Sequence, residues 1–406
     1  MKKIFLTVIA LLTVASASVF GMYGLPSNNW IHFLTHGNQF RARMDQLGFT
    51  LGNDTIKGTF GFFNDGRGAY GSMLASATDT TADGSNPGQG FFYDFHPTIS
   101  MGLAYTSSLI SVGVGYNATI GPRWNRYNGK DTAKKVEAVV HTPVLVLNAL
   151  DNALRIAIPI QVVNLTDKDS TGNLKGSVTV VSLDAQFRYF TGLDFLPQIR
   201  LYLKYGNYGY NYKLGNITEK GKYAESFGFD FRIYFGSVVE EVALTPFIKL
   251  AYNGALGKQH SKTAVTAFDA LDNSATTLGN AYSEWASGSL PTSSYAGSTA
   301  WKQGAWDLTL APSLGLTANS DIVSLYLEPS LGLKITQSGS DVDKVKEVYA
   351  LTYGAYAEIY ITPLKNLEWY FEADVSGDSV SNPASGVKTP VKFASSTGIT
   401  WYLPQL

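Results

Sequence analysis

The sequence predicts an all-β fold, a transmembrane antiparallel β-barrel of about sixteen strands with short periplasmic turns and long extracellular loops. Three observations predict it. Apolar and polar side chains alternate along most of the chain. Short and long connections alternate between those stretches, as they do in outer-membrane barrels. Beyond the N-terminal segment, no stretch offers the roughly twenty unbroken apolar residues of a spanning helix, so a membrane crossing must use strands.

The clearest alternation lies between residues 181 and 189. A two-residue period places successive side chains on opposite faces of a strand. A soluble sandwich would pack the apolar faces against each other, whereas a membrane barrel turns them toward lipid. The apolar phase comprises Val181, Leu183, Ala185, Phe187 and Tyr189, and the polar phase comprises Ser182, Asp184, Gln186 and Arg188.

The same pattern predicts further hairpins in chain order. Each pairs two apolar phases across a short turn, and a last strand carries Phe393, Ile399, Trp401 and Leu403. The pairs are Ile99 to Tyr105 with Ile110 to Tyr116, Val144 and Val146 with Leu154 to Val162, the strand ending at Tyr189 with Ile199 to Tyr205, Phe227 to Phe235 with Val242 to Leu250, Trp306 to Leu316 with Val323 to Ile335, and Tyr349 to Ile359 with Leu367 to Val375.

The strand count tests this interpretation. With Phe40 to Leu51 and Ile56 to Phe62 as a hairpin, the pattern gives about fifteen strands, whereas single-chain bacterial barrels usually have an even number. A strand at Trp30 to Thr35 would make sixteen. A plug or helix in the early segment would instead leave about fourteen.

Three prolines, Pro246, Pro312 and Pro329, fall inside the apolar phase of predicted strands. Proline cannot donate to a ladder and is normally found at edges or bulges. The sequence therefore predicts bulges at these positions.

The long connections are rich in Gly, Ser, Asn, Asp and Thr. The one from 253 to 301 also contains Phe268, Tyr282, Trp285 and Trp301, enough apolar area to fold into the bore or to cap it. The sequence leaves both open. The predicted loops are 64–90, 118–136, 206–222, 253–301 and 376–389.

The N-terminus has the layout of a secretory signal. Met1-Lys2-Lys3 precedes an apolar run from Ile4 to Val14 and then small residues. Cleavage fits after Ala17 or after Gly21, and the second is preferred. We therefore expect a signal peptide at 1–21 and a barrel at 22–406.

Composition excludes several classes. The 31 basic and 32 acidic residues nearly balance, which gives no nucleic-acid surface, and the absence of cysteine excludes disulfides and a lipoprotein anchor. The five histidines lack metal-ligand spacing, and no glycine-rich phosphate loop precedes a helix. We therefore predict no enzymatic activity, no cofactor and no metal.

The stretch from His36 to Phe49, HGNQFRARMDQLGF, followed by Gly58-Thr59-Phe60-Gly61-Phe62, resembles the opening of the variable surface proteins of intestinal spirochaete outer membranes. The start Met22-Tyr23-Gly24 and the overall length are also similar. The resemblance implies an abundant, antigenic outer-membrane protein with no established enzymatic activity. It supplies no site residues.

If the apolar phase faces lipid, the polar phase lines the lumen. Its early part is mainly basic and its late part mainly acidic, which would set a transverse field across a water-filled passage with only a mild ion preference. Alternatively, these charges pair with their neighbours in a closed lumen. The predicted basic wall is Arg155, Arg188, Arg200, Lys204, Arg232 and Lys249, and the acidic wall is Asp307, Glu328, Glu358, Glu368, Glu372 and Asp374.

The predicted function is that of a surface-exposed outer-membrane protein, a general diffusion porin for small polar solutes. The alternative keeps the barrel as a non-conducting surface antigen or adhesin. The expected partners are outer-membrane lipid, the barrel-insertion machinery, host surface or antibody at the long loops, and further copies of the chain.

Overall fold

The computed structural model describes thirteen stretches of the chain. The predicted signal peptide lies outside them, as does most of loops 64–90 and 253–301. The described residues are 29–35, 39–43, 46–64, 75–77, 92–94, 97–126, 134–168, 174–214, 217–239, 242–256, 304–337, 346–379 and 391–403.

The described residues form one short helix, α1 (Asn29–Phe33), and a series of strands. The strands are β1 (Gln39–Arg43), β2 (Gln46–Gly52), β3 (Ile56–Asn64), β4 (Ala75–Ala77), β5 (Phe92–Asp94), β6 (Pro97–Tyr105), β7 (Ile110–Arg126), β8 (Lys134–Ala149), β9 (Leu154–Lys168), β10 (Leu174–Phe190), β11 (Gln198–Leu214), β12 (Ile217–Tyr234), β13 (Ser237–Val239), β14 (Val242–Ala255), β15 (Trp306–Asn319), β16 (Val323–Gln337), β17 (Val348–Leu364), β18 (Leu367–Asp378) and β19 (Val391–Leu403).

Strand pairing closes on itself. Each strand of the main sheet pairs antiparallel with its neighbour in the chain, and β1 pairs with β2 on one side and with β19 on the other. The main sheet has seventeen strands, of which the three-residue β13 pairs only with β14 and extends its hairpin. The remaining sixteen form a continuous ring, in agreement with the predicted antiparallel barrel. A separate pair, β4 with β5, lies outside this ring.

The ring reaches sixteen strands by a different route from the one predicted. Trp30 to Thr35 is not a strand, because Asn29–Phe33 is helical. The predicted strand from Phe40 to Leu51 is instead two, β1 and β2, which pair with each other up to Arg43 opposite Gln46. The early segment therefore supplies both an interior helix and the extra strand.

The two faces of the wall have opposite polarity. Along β10, Ser182, Asp184 and Gln186 are fully buried on the inside, while Tyr189 is exposed on the outside. The same inversion recurs around the ring, with exposed apolar side chains such as Leu103, Leu325, Leu331, Trp369 and Trp401. Apolar side chains outside and polar side chains inside are the arrangement of a wall that meets lipid.

One predicted phase is wrong. Val144 and Val146 face the interior and are buried, whereas Leu145 between them is exposed on the outer face. Both phases of β8 are apolar here, so periodicity alone could not orient the strand. Helix α1 covers the inner valines, which removes the need for polar residues there.

The predicted bulges at the three prolines are also wrong. Pro246 stands opposite Leu314, Pro312 opposite Ile248 and Pro329 opposite Ala355, and no register shift occurs at any of them. Each proline removes one donor from one side of a strand, which a ladder tolerates without an extra residue. Register shifts occur instead between Tyr208 and Gly209, between Ile120 and Arg123, and between Ile361 and Leu364.

Two predicted loops are largely strand. Pairing continues along β7 to Arg126 opposite Lys134 on β8, and along β11 to Leu214 opposite Ile217 on β12. In 118–136 and 206–222 the polar residues therefore belong to strands whose pairing continues beyond the stretches with an apolar outer face. Parts of loops 253–301 and 376–389 are strand ends, and their remainder lies outside the described residues.

The turns at one end of the ring are short, and hydrogen bonds from backbone N–H groups to side chains within each turn stabilise them. Between β2 and β3 the Asn53 side-chain oxygen accepts from the backbone N–H groups of Thr55 and Ile56 at 2.9 and 2.8 Å. Between β15 and β16 the Ser320 hydroxyl oxygen accepts from the Val323 N–H at 3.0 Å. Such side-chain turns satisfy backbone groups where the ladder ends.

Among the described helical residues, none forms a helix long and apolar enough to cross a membrane.

The orientation of the wall predicts where a charge is tolerated. Leu331 lies near the middle of β16 and is 53% exposed on the outer face. We expect Leu331→Arg to destabilise the protein folded in lipid vesicles by about 2–4 kcal/mol, because a cation at mid-membrane depth must leave water. Leu364→Arg, at the exposed last residue of β17, is the control and should cost much less. Equal losses in a denaturant titration would contradict the orientation.

Candidate pore interior

Helix α1 lies inside the ring against a seat of small and apolar residues. Trp30 is 1% exposed, and its ring meets that of Phe33 edge to face with centroids 5.7 Å apart. Burying both aromatics removes a large apolar area from water, which stabilises a helix too short to persist alone. The helix seat, defined by its inward-facing residues on β6 to β9, is Gly102, Ala104, Gly113, Gly115, Val144, Val146 and Ala157.

Glycine makes the close approach of the indole possible. Gly102 and Gly115 stand opposite each other on β6 and β7. A Cβ at Gly115 would lie 2.2 Å from a ring carbon of Trp30, and one at Gly102 would lie 2.8 Å from another. The hollow is therefore a consequence of missing side chains, and any larger residue would displace the helix.

The C-terminal end of α1 is tied to the wall. The Lys57 ammonium on β3 donates to the Leu34 carbonyl at 3.0 Å. The Thr35 hydroxyl and backbone N–H donate to the His32 carbonyl at 3.0 and 2.9 Å. These bonds satisfy carbonyls that the last turn of a helix leaves open.

His32, on the other side of α1, lies between two arginines of the predicted basic wall. Arg155 Nη1 is 2.9 Å from His32 Nδ1, and Arg188 Nη1 is 2.8 Å from His32 Nε2. Arg188 is 2% exposed. The helix thus covers one end of the basic residues.

Five of the six predicted basic residues form a single transverse row, here called the basic row. Arg155 stands opposite Arg188, Arg188 opposite Arg200, Arg200 opposite Arg232, and Arg232 opposite Lys249. The row crosses β9, β10, β11, β12 and β14. Like charges placed directly opposite each other repel, so the row needs compensation.

At the β12 end of the row, compensation comes from Asp230. Asp230 accepts two hydrogen bonds from Arg232, at 2.9 Å from Nε and 2.8 Å from Nη2, and lies 3.5 Å from Lys249 Nζ. The Arg200 guanidinium instead donates to the neutral Gln198 side-chain oxygen at 2.9 Å and lies 4.6 Å above the Tyr234 ring. A ring face weakly stabilises a cation but carries no net charge.

The sixth basic residue, Lys204, lies apart from the row. It is on β11 opposite the fully buried Asp184 of β10. Gln186 donates to the same carboxylate at 3.4 Å. This part of the wall therefore places opposite charges on neighbouring strands.

The predicted acidic residues gather on β16 to β18, with one exception. Glu358 stands opposite Glu372, and Tyr356 has Glu328 on one side and Asp374 on the other. The Tyr326 hydroxyl donates to Glu328, and the Tyr402 hydroxyl lies 3.3 Å from Glu368. Asp307 is separate, on β15 opposite Asn253 and Thr336.

The basic and acidic residues therefore occupy two different arcs of the wall. Around the sixteen-strand ring, β17 is five strands from β11, about a third of the circumference. The arcs are neighbouring and do not face each other across the full bore. Whether these residues line a conducting pore stays a prediction.

Sequence reasoning missed the role of His32 and the pairing role of Asp230. His32 sits in a segment predicted as a strand, and nothing local indicates that two arginines more than a hundred residues away approach it. Asp230 could have been found, because it shares the inward phase of β12 with Arg232 two positions away.

Across the described stretches, no cluster of three histidine, aspartate or glutamate residues is placed to hold a metal ion.

A closed antiparallel wall with apolar side chains outside and charged side chains inside defines a membrane β-barrel of the outer-membrane class. The model of the Serpulina hyodysenteriae variable surface protein family matches residues 2–402. The chain belongs to this family, and it is a surface protein of the outer membrane. No curated protein matches it.

Several solved outer-membrane proteins match parts of the chain. The copper transporter OprC matches at 9% identity over 90% of this chain and 64% of its own, with a TM-score of 0.41. The ferric yersiniabactin uptake receptor FyuA of Yersinia pestis matches at 8% identity, covering 85% and 61% of the two chains, also at 0.41. OmpT of Vibrio cholerae matches at 11% identity, covering 90% and 97%, with a TM-score of 0.33. The chain spans less than two thirds of the first two proteins.

The helix seat predicts the effect of one added methyl group. The chain has no cysteine, so Leu34→Cys provides a single thiol at a buried position of the segment. We expect Gly115→Ala in that background to raise the rate of maleimide labelling by about tenfold, because overpacking costs about 1–3 kcal/mol. Gly58→Ala is the control, since its Cβ would have no heavy atom nearer than 3.9 Å. Unchanged labelling in Gly115→Ala would show that α1 does not occupy the seat.

Proposed function

We propose that the protein is a diffusion porin for small polar solutes. The observation that carries the proposal is the ring of sixteen strands whose inner face is polar and sorted into a basic and an acidic arc. Rings of sixteen to eighteen strands are wide enough to leave an aqueous channel unless something fills them. The inner face therefore lines a volume that side chains of the wall alone do not fill.

The charge arrangement supports passage of polar solutes. The basic row lies on β9 to β14 and most acidic residues lie on β16 to β18, so a solute near this part of the wall meets a field directed from the basic arc toward the neighbouring acidic arc. Such a field orients dipolar solutes and strengthens in a narrow passage. The near-balance of the two signs supports a mild ion preference.

A second candidate is a non-conducting surface antigen or adhesin. The observation that favours it is α1, which is buried in the lumen with Trp30 and Phe33 against the wall and leaves Arg188 almost without solvent. In that case the lumen charges serve to solubilise a filled interior. Function would then lie in the outer connections and their contacts with host surface or antibody.

The proposal carries no enzymatic step and no cofactor. It includes lipid at the outer face, insertion by the envelope's barrel-assembly machinery, and further copies of the chain as partners in a homo-oligomer. The apolar outer side chains support the lipid contact directly.

Planar-bilayer recording of purified folded protein tests the proposal. We expect reproducible conductance steps that grow in proportion to salt concentration. The double variant Glu358→Gln with Glu372→Gln should shift the reversal potential in a salt gradient toward anion preference, because it removes two adjacent inward carboxylates. Asp321→Asn, in the exposed turn between β15 and β16, is the matched control and should leave the potential unchanged.

Suppose that heat-modifiable gel mobility shows the protein to be folded and the bilayers still record no conductance. This result would exclude the porin function and favour the surface antigen. If the protein conducts but the double variant keeps the wild-type reversal potential, the protein is a pore whose narrowest point lies away from Glu358 and Glu372.

A further inference from the structure

Four lysines stand in one row across the strands that extend beyond the apolar part of the wall. Lys135 on β8 pairs with Lys168 on β9, Lys168 with Lys175 on β10, and Lys175 with Lys213 on β11. These four residues are here called the lysine row. Like charges directly opposite each other destabilise a ladder, so the stability of the sheet does not explain the row.

The lysine row belongs to the outer face of the wall. Successive residues of a strand alternate between the two faces of the sheet. Asn164, Thr179 and Asn211 share strand and phase with members of the row and are exposed. Ser182, in the opposite phase of β10, is fully buried on the inside. The row therefore lies on the face that meets lipid nearer the short turns.

The row stands clear of the hydrocarbon. The last apolar outward positions of β9 and β10 are Val162 and Val181, and Lys168 and Lys175 lie six residues beyond them. At about 3.3 Å per residue and a strand tilt of about 40°, six residues rise about 15 Å. The headgroups of a bilayer add only about 5–8 Å on each side of the hydrocarbon. The row is thus above the headgroup layer, at the end of the ring opposite the short turns.

Two more lysines flank the row. Lys220 and Lys222 on β12 stand opposite Asn211 and Gly209 of β11, which places them in the outward phase. With them, six lysines occupy outward positions on five neighbouring strands. Paired strands are about 4.8 Å apart, so positive charges follow one another around the outside of the wall at about that spacing.

Acidic residues are fewer on this part of the outer face. At the described outward positions of β8 to β12 beyond the apolar part, they are Glu137 and Glu225. Glu137 stands opposite Arg123 of β7, and Glu225 accepts a hydrogen bond from the Tyr205 hydroxyl at 2.5 Å. Six lysines therefore share this face with two glutamates, and its net charge is positive.

A linear polyanion is complementary to such a row. Its charges repeat along one direction, and each ammonium that meets one displaces counterions, so that affinity accumulates along the row. A small anion would use only one or two lysines, and the convex outside of a barrel offers no pocket to enclose it. The ammonium of lysine is a compact point charge that suits sulfate and carboxylate groups without a fixed geometry.

We propose that the lysine row, flanked by Lys220 and Lys222, binds a linear anionic polysaccharide, rich in sulfate or carboxylate groups, that runs around the outside of the wall above the membrane. The row has no part in the bore, so the inference goes beyond the proposed function and holds whether or not the protein conducts. It assigns this contact to paired strands and not to the long connections.

Calorimetric titration of a short heparin oligosaccharide into the protein, folded in nanodiscs of phosphatidylcholine, tests the proposal. We expect saturable binding that weakens steeply as the salt concentration rises, and no binding of neutral dextran. Lys168→Gln/Lys175→Gln removes the middle of the row. It should raise the Kd about tenfold and reduce the salt dependence, because two charge contacts are lost.

Two further variants separate the site from misfolding and from general charge. Lys175→Glu places a carboxylate between Lys168 and Lys213, which favours the ladder, so we expect at least wild-type resistance to denaturant together with a Kd raised about tenfold or more. Lys346→Gln/Lys365→Gln removes two exposed lysines outside the row and should keep the wild-type Kd.

The absence of saturable heparin binding, or an equal rise of the Kd in the two lysine-to-glutamine double variants, would overturn the proposal. Nanodiscs that contain phosphatidylglycerol test an anionic lipid as the partner. Loss of phosphatidylglycerol enrichment around Lys168→Gln/Lys175→Gln, with an unchanged heparin Kd, would assign the row to lipid and also overturn the proposal. Selective loss of heparin binding in the row variants supports the polysaccharide site, and the porin function stands or falls on bilayer conductance alone.

Discussion

A backbone N–H or C=O that faces hydrocarbon without a partner costs several kcal/mol, and this constraint shapes the whole molecule. Strands meet it only when no edge is left, which here means pairing of β1 with β19. Sixteen strands in a ring then fix a wide interior, and the two-residue period sends alternate side chains into it. The polar lumen is thus a consequence of satisfying the backbone in lipid.

In the helix seat that polarity is absent. Glycine, alanine and valine on β6 to β9 leave a hollow that Trp30 and Phe33 fill. Burial of the aromatics holds a five-residue helix that has no stability of its own. The same placement sets His32 against the basic row, so the packing of the seat and the electrostatics of the lumen are linked through one short segment.

The barrel class and the inward basic and acidic phases could be predicted from the sequence, because alternation over ten or more residues identifies a two-faced strand. The number sixteen was predicted with a strand at Trp30 to Thr35, which is helical instead. Sequence reasoning misassigned what depends on contacts distant in sequence. Val144 and Leu145 sit in a run that is apolar on both phases, and only the buried helix identifies the inner one. Trp30 to Thr35 is too short for helical and strand periods to differ. Pro246 is tolerated because one missing donor does not shift a register.

The closure of the ring is the claim on which the rest depends, and a disulfide across its seam tests it most directly. Ala42 on β1 stands opposite Trp401 on β19, and the chain has no cysteine of its own. A folded Ala42→Cys/Trp401→Cys variant should form an intramolecular disulfide on oxidation, as should Phe371→Cys/Thr397→Cys within the β18–β19 pair. Cross-linking of the second pair alone, in protein that is folded, would show that the sheet is open between β1 and β19.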